Sequence, residues 1–292
     1  MADEPKFSVS AVTTINSSFE EDLVSYREAG ADGIGIWEFK LQEGQDAEAV
    51  RKLKESGLPA TVCIPATLSP LPVTFPGPTD PEERIEGLCN AIRRFAPFEP
   101  ICVLCLTGDR GQLGHDEARA IVVGGLRRAA KVCAEYGITL GLEPLHGEIY
   151  ADWTTITTIP ETIDMIDEIG EPNVKLLFDV YHLWDTPDVL EHIRRLASRF
   201  VPAVHVCDKR DPTRSDFDRV LPGDGIIDLP AIFGALDAGG FEGWADLEIF
   251  SDDGTFGQSF EDSLWKLPPA EVVRRGKAGF QKAWRERSIV PA

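Results

Sequence analysis

No stretch of the 292-residue sequence approaches the roughly 18 uncharged apolar residues that a membrane-spanning helix needs. The opening Met1-Ala2-Asp3-Glu4-Pro5-Lys6 also lacks the basic flank and apolar centre of a secretion signal, so a cytoplasmic protein is expected. Basic residues are scarce: 29 Lys and Arg stand against 49 Asp and Glu, a formal net charge of −20. That field repels nucleic-acid phosphates and anionic lipid headgroups alike, which argues against both as partners. The six cysteines form no clustered pairs. Cys102 and Cys105 do read as C-x-x-C inside the run ICVLCL, but an odd spacing points their side chains to opposite faces of any strand. Buried free thiols are therefore expected rather than a zinc or redox pair. No G-x-G-x-x-G follows the first apolar run, which speaks against a doubly wound dinucleotide-binding sheet, and nothing resembles a dedicated phosphate cradle.

What is present is a repeated alternation. Hydrophobic residues make up 43% and charged residues 27%, ordinary for a globular chain of a length that buries about three quarters of its unfolded surface. Eight short apolar runs occur: FSVSAV from Phe7, GIGIW from Gly33, PATVCI from Pro59, PICVLCL from Pro100, ITLGLE from Ile138, VKLLFD from Val174, FVPAVHV from Phe200 and WADLEIF from Trp244. Helix-like stretches separate them, including Phe19 to Ala29, Pro81 to Phe95, Asp116 to Tyr136, Pro160 to Ile169, Pro187 to Ser198 and Leu229 to Ala238. Pro160, Pro187 and Pro230 suit first helical turns, while Gly30, Gly57, Gly137, Gly170 and Gly239 suit helix ends. Near-continuous apolar strands alternating with helices indicate a parallel sheet covered on its outside, and eight such units indicate closure into a single-domain (β/α)8 TIM barrel spanning 1–292. Residues 251–292 read as a last loop, a final helix around Ala270 to Trp284 and a short extension. The segment SPLPVTFPGPTDP from Ser69 reads as a long loop after the third strand.

The late strands share a chemical feature. The fifth ends in Glu143, the sixth in Asp179, the seventh contains His205 one residue before the end of its apolar run, and the eighth contains Glu248. In a barrel these positions converge on the C-terminal mouth, where active sites of this architecture lie. Carboxylates brought within about 4 Å repel by roughly 4 kcal/mol per pair at an effective dielectric near 20, so a positive group must sit among them. Three carboxylates with one imidazole form a hard, oxygen-rich set suited to one divalent ion, Mn²⁺ first, with Mg²⁺, Co²⁺ or Zn²⁺ as alternatives, and better met by a cation than by arginines. The metal set expected is thus Glu143, Asp179, His205 and Glu248.

With those strand ends in place, the sequence resembles the sugar phosphate isomerase/epimerase superfamily, the xylose-isomerase-like TIM barrels. The carriers are Gly141-Leu142-Glu143-Pro144, Phe178-Asp179-Val180-Tyr181-His182, Val204-His205-Val206-Cys207-Asp208, Asp218-Arg219 before Pro222-Gly223-Asp224-Gly225, and Leu247-Glu248. The resemblance implies metal binding by the quartet, a substrate contact from His182 and a grip on substrate oxygens from Arg219. Arg214 competes with Arg219 for that last role because the intervening segment is long. Such barrels often pair, which leaves a homo-oligomer open.

The ligand set suggests the chemistry. Two neighbouring oxygens of a hydroxy-carbonyl compound can fill open metal positions, and removal of a carbon-bound proton then gives an enediolate. Glu143 and Glu248 would flank that carbon as base and acid. A metal-bound carboxylate is less basic, and His146, in the string Glu143-Pro144-Leu145-His146, is a candidate second base. Trp37 and Trp153 are candidate walls for a sugar ring, with Trp184 and Trp265 as weaker ones. Lys40 and Lys209 lie where a phosphate would arrive, whereas His115 and His192 fall on helix surfaces. The expected activity is a metal-dependent isomerase or epimerase acting on a small carbohydrate, a ketose or related keto-sugar. The alternatives are a lyase or dehydratase acting on an inosose or keto-glycoside, and a non-catalytic ligand-binding barrel. Abasic-site endonucleases share the barrel but need more histidines than the five here and a basic face.

Overall fold

In the computed structural model, which describes residues 4–75 and 77–287, the apolar runs form the strands β1 (Lys6–Ser10), β2 (Gly33–Trp37), β3 (Ala60–Ile64), β4 (Cys102–Cys105), β5 (Thr139–Leu142), β6 (Val174–Asp179) and β7 (Phe200–Val206). The two-residue strands β8 (Asp208–Lys209) and β9 (Arg219–Val220) follow, then β10 (Trp244–Leu247). Strands β1 to β7 and β10 are parallel and close into a barrel in the order β1-β10-β7-β6-β5-β4-β3-β2. The expected single-domain TIM barrel is what the chain forms. Met1-Ala2-Asp3, Pro76 of the long third loop and the extension beyond residue 287 lie outside the described residues.

The covering helices are α1 (Phe19–Glu28), α2 (Asp46–Ser56), α3 (Pro81–Phe95), α4 (His115–Glu135), α5 (Ile159–Ile169), the single turn α6 (Val180–Leu183), α7 (Val189–Leu196), α8 (Leu229–Ala238) and α9 (Pro269–Arg285). Their starts follow from local chemistry. Ser18 and Glu21 close a reciprocal capping box on α1, and Asp80, Thr158 and Asp228 each accept a backbone N–H at the head of α3, α5 and α8. Pro187 does not open a helix: α7 begins at Val189 behind Asp188, whose left-handed φ of 55° turns the chain first. Gly239 keeps an ordinary helical φ, and Gly240 makes the left-handed exit at 74°.

Alternation within the strands divides packing from function. Phe7 and Val9 face the helical jacket, where Phe7 stacks on Phe280 of α9 at 5.8 Å. Ser8 and Ser10, on the opposite face, point into the barrel, where Ser8 Oγ donates to Asp246 Oδ1 (2.6 Å) and Ser10 Oγ to Glu248 Oε1 (3.3 Å). Gly35 of β2 is required by this interior: a β-carbon there would stand 2.8 Å from Asp246 Oδ2. All six cysteines are free and buried.

The long seventh connection is not an unstructured loop. β8 and β9 pair antiparallel, Asp208 with Val220 and Lys209 with Arg219, folding the segment back over the barrel mouth. Asp208 anchors the fold-back by accepting the N–H groups of Lys209, Gly223 and Ile227. Among the described residues no helix is long and apolar enough to cross a membrane.

Candidate active site

Asp179 is at once the last residue of β6 and the N-cap of α6, its Oδ1 accepting the Tyr181 N–H at 2.8 Å. This single turn places His182 three residues on, over the same face, with Nε2 3.6 Å from Asp179 Oδ2. His205 is the register partner of both Asp179 and Asp246. Glu143 and Glu248 stand one residue beyond β5 and β10, shorter strands than the sequence suggested. Both remain in the ladder, through Glu143 N–H to Cys105 O (3.0 Å) and Glu248 N–H to Val206 O (3.1 Å). Four side chains on neighbouring strands therefore meet at one depth. His205 Nδ1 lies 3.0 Å from Glu143 Oε1 and 3.4 Å from Glu248 Oε2.

Glu143, Asp179 and His205 are all buried, and each offers a donor atom within 4.8 Å of the other two. An imidazole nitrogen with carboxylate oxygens is the donor set of a divalent-metal site, and this triad has the geometry to hold one ion. Glu248 borders the triad through His205 but is shared. Arg219, 2% exposed, donates from Nη1 to Asp179 Oδ2 (2.9 Å) and Glu248 Oε2 (3.2 Å), with its guanidinium between the rings of Tyr181 (4.5 Å) and Phe250 (5.0 Å). This corrects one expectation: an arginine does answer part of the carboxylate repulsion. The physical reason is the β8–β9 hairpin, whose fold-back delivers Arg219 into the mouth.

The electrostatics follow from burial and neighbours. Burial alone would raise the Asp179 carboxyl, yet Arg219, with His205, holds it below its usual value. Burial pushes Glu143 up to about 7 against the pull of His205. Burial opposes protonation of His205, but Glu248 and Glu143 raise it to about 10. His182 is driven down to about 3 by burial and is a neutral imidazole, its Nδ1 3.4 Å from the backbone N–H of His146. On the far side of His205, Nε2 faces Asp246 Oδ2 at 3.7 Å; both atoms are buried and, among the described residues, lack a hydrogen-bond partner.

Above this floor opens a cavity lined by both polar and apolar side chains. Residues 24–282 match the family described as the xylose isomerase-like TIM barrel. The chain belongs to that family. It is similar to the inosose isomerase of Bacillus velezensis, 29% identical over 156 residues, covering 52% of this chain and 50% of that protein. It is also similar to the inosose dehydratase of Geobacillus kaustophilus, 33% identical over 147 residues and 45% of each chain. The chain spans about half the length of the curated relatives it matches. A crystal structure of a Sinorhizobium meliloti protein, 28% identical, superposes with a TM-score of 0.83 over 95% of this chain and 98% of that one.

In this xylose isomerase-like barrel, the cavity is bordered by Trp37, Trp153, His182 and Arg219 together with Glu143 and Glu248. It does not gather the remaining sequence candidates. His146 borders an adjoining cleft, its Nε2 3.2 Å from Asp185 Oδ2, because the chain turns outward after Leu145. Arg214 is held by Asp218 and Asp262 and covers the Phe260 ring, so of the two arginines only Arg219 enters the central cavity. Lys40 is no phosphate ligand: it is buried 3.0 Å from Asp22 and donates to the carbonyls of Thr14 and Ser17. Lys209 donates to Thr213 Oγ1. Trp265 packs beneath Phe250 with its Nε1 on Ile249 O, and Trp184 belongs to the adjoining cleft. His115 is exposed at the head of α4, and His192 is half-buried on α7. Sequence reasoning passed over Asp246, although an acid two residues before Glu248 in an apolar run shares its face. It also passed over Ser10 and the loop aromatics Phe75, Tyr150, Phe217 and Phe250, which no local spacing connects.

Proposed function

We propose that the chain is a divalent-metal-dependent sugar isomerase or epimerase acting on a ketose or related keto-sugar. The observation that carries the reading is the buried Glu143, Asp179 and His205 triad at the floor of the barrel-mouth cavity, bordered by Glu248 and Arg219. Glu143, Asp179, His205 and Glu248 would hold one ion, Mn²⁺ by preference, which supplies Lewis acidity to a substrate carbonyl. Glu143 and Glu248 face the cavity from β5 and β10 and are placed to remove a carbon-bound proton on one side and return it on the other. Arg219, fixed by two carboxylates, two rings and a 3.2 Å contact of Nη2 with His182 Nε2, borders the cavity and would meet substrate oxygens there. His182, neutral, borders the cavity beside Arg219 without adding charge. The cavity's apolar walls exclude water from the carbon acid.

A second reading is a dehydratase, favoured by the 33% identity to an inosose dehydratase, since proton removal beside a carbonyl also begins β-elimination. Incubation with Mn²⁺ in D2O against ketoses and inososes separates the two. Deuterium at carbon with the skeleton retained supports the isomerase, and loss of water supports the dehydratase. Absence of exchange, together with indifference to added metal, would sink both.

A further inference from the structure

The cavity above the floor is two-sided. Its polar side chains, Glu143, His182, Arg219 and Glu248, all come from the sector of β5, β6, the β8–β9 hairpin and β10. The opposite sector, at the ends of β3 and β4, presents Ile64, Leu68, Leu104 and Leu106. The roof is aromatic: Phe75 meets Trp153 edge-on at 4.5 Å and stacks on Phe256 at 5.9 Å, which stacks on Phe217 at 4.4 Å. Two rings that border the cavity have polar tips already engaged by the protein, Trp37 Nε1 with Ser10 Oγ (2.8 Å) and Tyr150 Oη with Asp216 O (2.7 Å).

A bare polyhydroxylated substrate fills such a space badly. Hydroxyls directed at the metal-side groups find partners, while those directed at β3 and β4 lose water and meet only hydrocarbon. A body without hydroxyls on that side gains burial instead. We infer that the substrate is a keto-sugar carrying an apolar, ring-sized substituent, an aryl aglycone, with its oxygens on the β5–β10 side and its ring against Leu104, Leu106 and Phe75. The orientation of the sugar rests on the proposed function; the preference for an aryl group rests on the cavity walls alone.

The test is calorimetric titration of the Mn²⁺-loaded protein with a matched pair, phenyl and methyl 3-keto-β-D-glucopyranoside, followed by proton exchange on the same pair in D2O. A single added methylene in an apolar pocket already discriminates by about 10-fold or more, so the phenyl compound is expected to bind at least about 10-fold tighter. Phe75→Ala, on a half-buried loop, is expected to lose that preference while retaining the thermal melting profile. Equal or weaker binding of the phenyl compound overturns the inference and leaves the proposed function standing if exchange occurs. Tight phenyl binding without exchange on either compound supports the inference and overturns the proposed function. A preference that survives Phe75→Ala unchanged places the aryl group elsewhere and overturns the assignment to this cavity.

Discussion

Replacing Arg219 by leucine tests whether one set of carboxylates serves both an arginine and a metal. In the wild-type protein the guanidinium is fully enclosed and neutralises Asp179 at 2.9 Å and Glu248 at 3.2 Å. Leucine keeps some contact with Tyr181 and Phe250 but leaves two buried carboxylates without their cation. Breaking a buried pair by removing one partner costs about 3–5 kcal/mol. At about 2–4 °C per kcal/mol for a chain of this class, the melting temperature should fall by roughly 6–20 °C. Urea unfolding followed by tryptophan fluorescence, with and without Mn²⁺, measures the loss. A ligand at a hundred times its dissociation constant contributes about 2.7 kcal/mol. If Asp179 and Glu248 are ligands, Mn²⁺ should stabilise Arg219→Leu more than wild type, because an ion then takes over both orphaned charges. A loss below about 1 kcal/mol, or identical stabilisation of the two proteins by Mn²⁺, would refute the shared-carboxylate reasoning.

Asp246→Ala is expected to weaken Mn²⁺ or Co²⁺ binding by about 10–100-fold in calorimetry, because a ligating imidazole is oriented by the carboxylate behind it; unchanged affinity would show that Asp246 does not set the His205 ring. Glu248→Gln should abolish deuterium exchange on any accepted substrate while leaving the fold intact by circular dichroism, and near-normal exchange would remove Glu248 from the chemistry. Burial pushes Asp22 up to about 7 even with Lys40 Nζ at 3.0 Å, against about 3.9 in an unfolded chain. A carboxyl raised on folding contributes stability that is full below about pH 4 and is lost as pH rises through about 7. Lys40→Met removes the opposing cation and carries that loss to higher pH, so its deficit relative to wild type should be greater at pH 8 than at pH 5, and equal deficits would contradict the burial argument.

The strand-end residues were legible because a parallel barrel brings the last residue of each strand to one rim whatever the loops do. Glu143, Asp179, His205 and Glu248 needed only the strand pattern to be placed together. Arg219 and Arg214 were not separable in the same way: the five-residue difference is decided by the β8–β9 register and by Asp208 clasping three backbone N–H groups, neither of which has a periodic signature. His146 was misplaced for a related reason, since the strand ladder ends at Glu143 and the path of the following loop is set by tertiary contacts. Asp246 had a signal in its parity with Glu248, but an acid inside an apolar run is recognised as functional only once the histidine on the neighbouring strand is seen beside it. The aromatic roof comes from connections distant in sequence, and only closure of the barrel brings Phe75, Phe217 and Phe256 into stacking distance.

Trp37 donates to Ser10 Oγ at 2.8 Å, and Ser10 Oγ donates to Glu248 Oε1 at 3.3 Å. The indole is thus two hydrogen bonds from a carboxylate of the floor, and any change in that carboxylate's charge or company alters the field across the ring. The barrel carries its own optical gauge: the emission of Trp37 should shift as a cation or a substrate oxygen settles against Glu248, so occupancy can be followed without a label and without turnover.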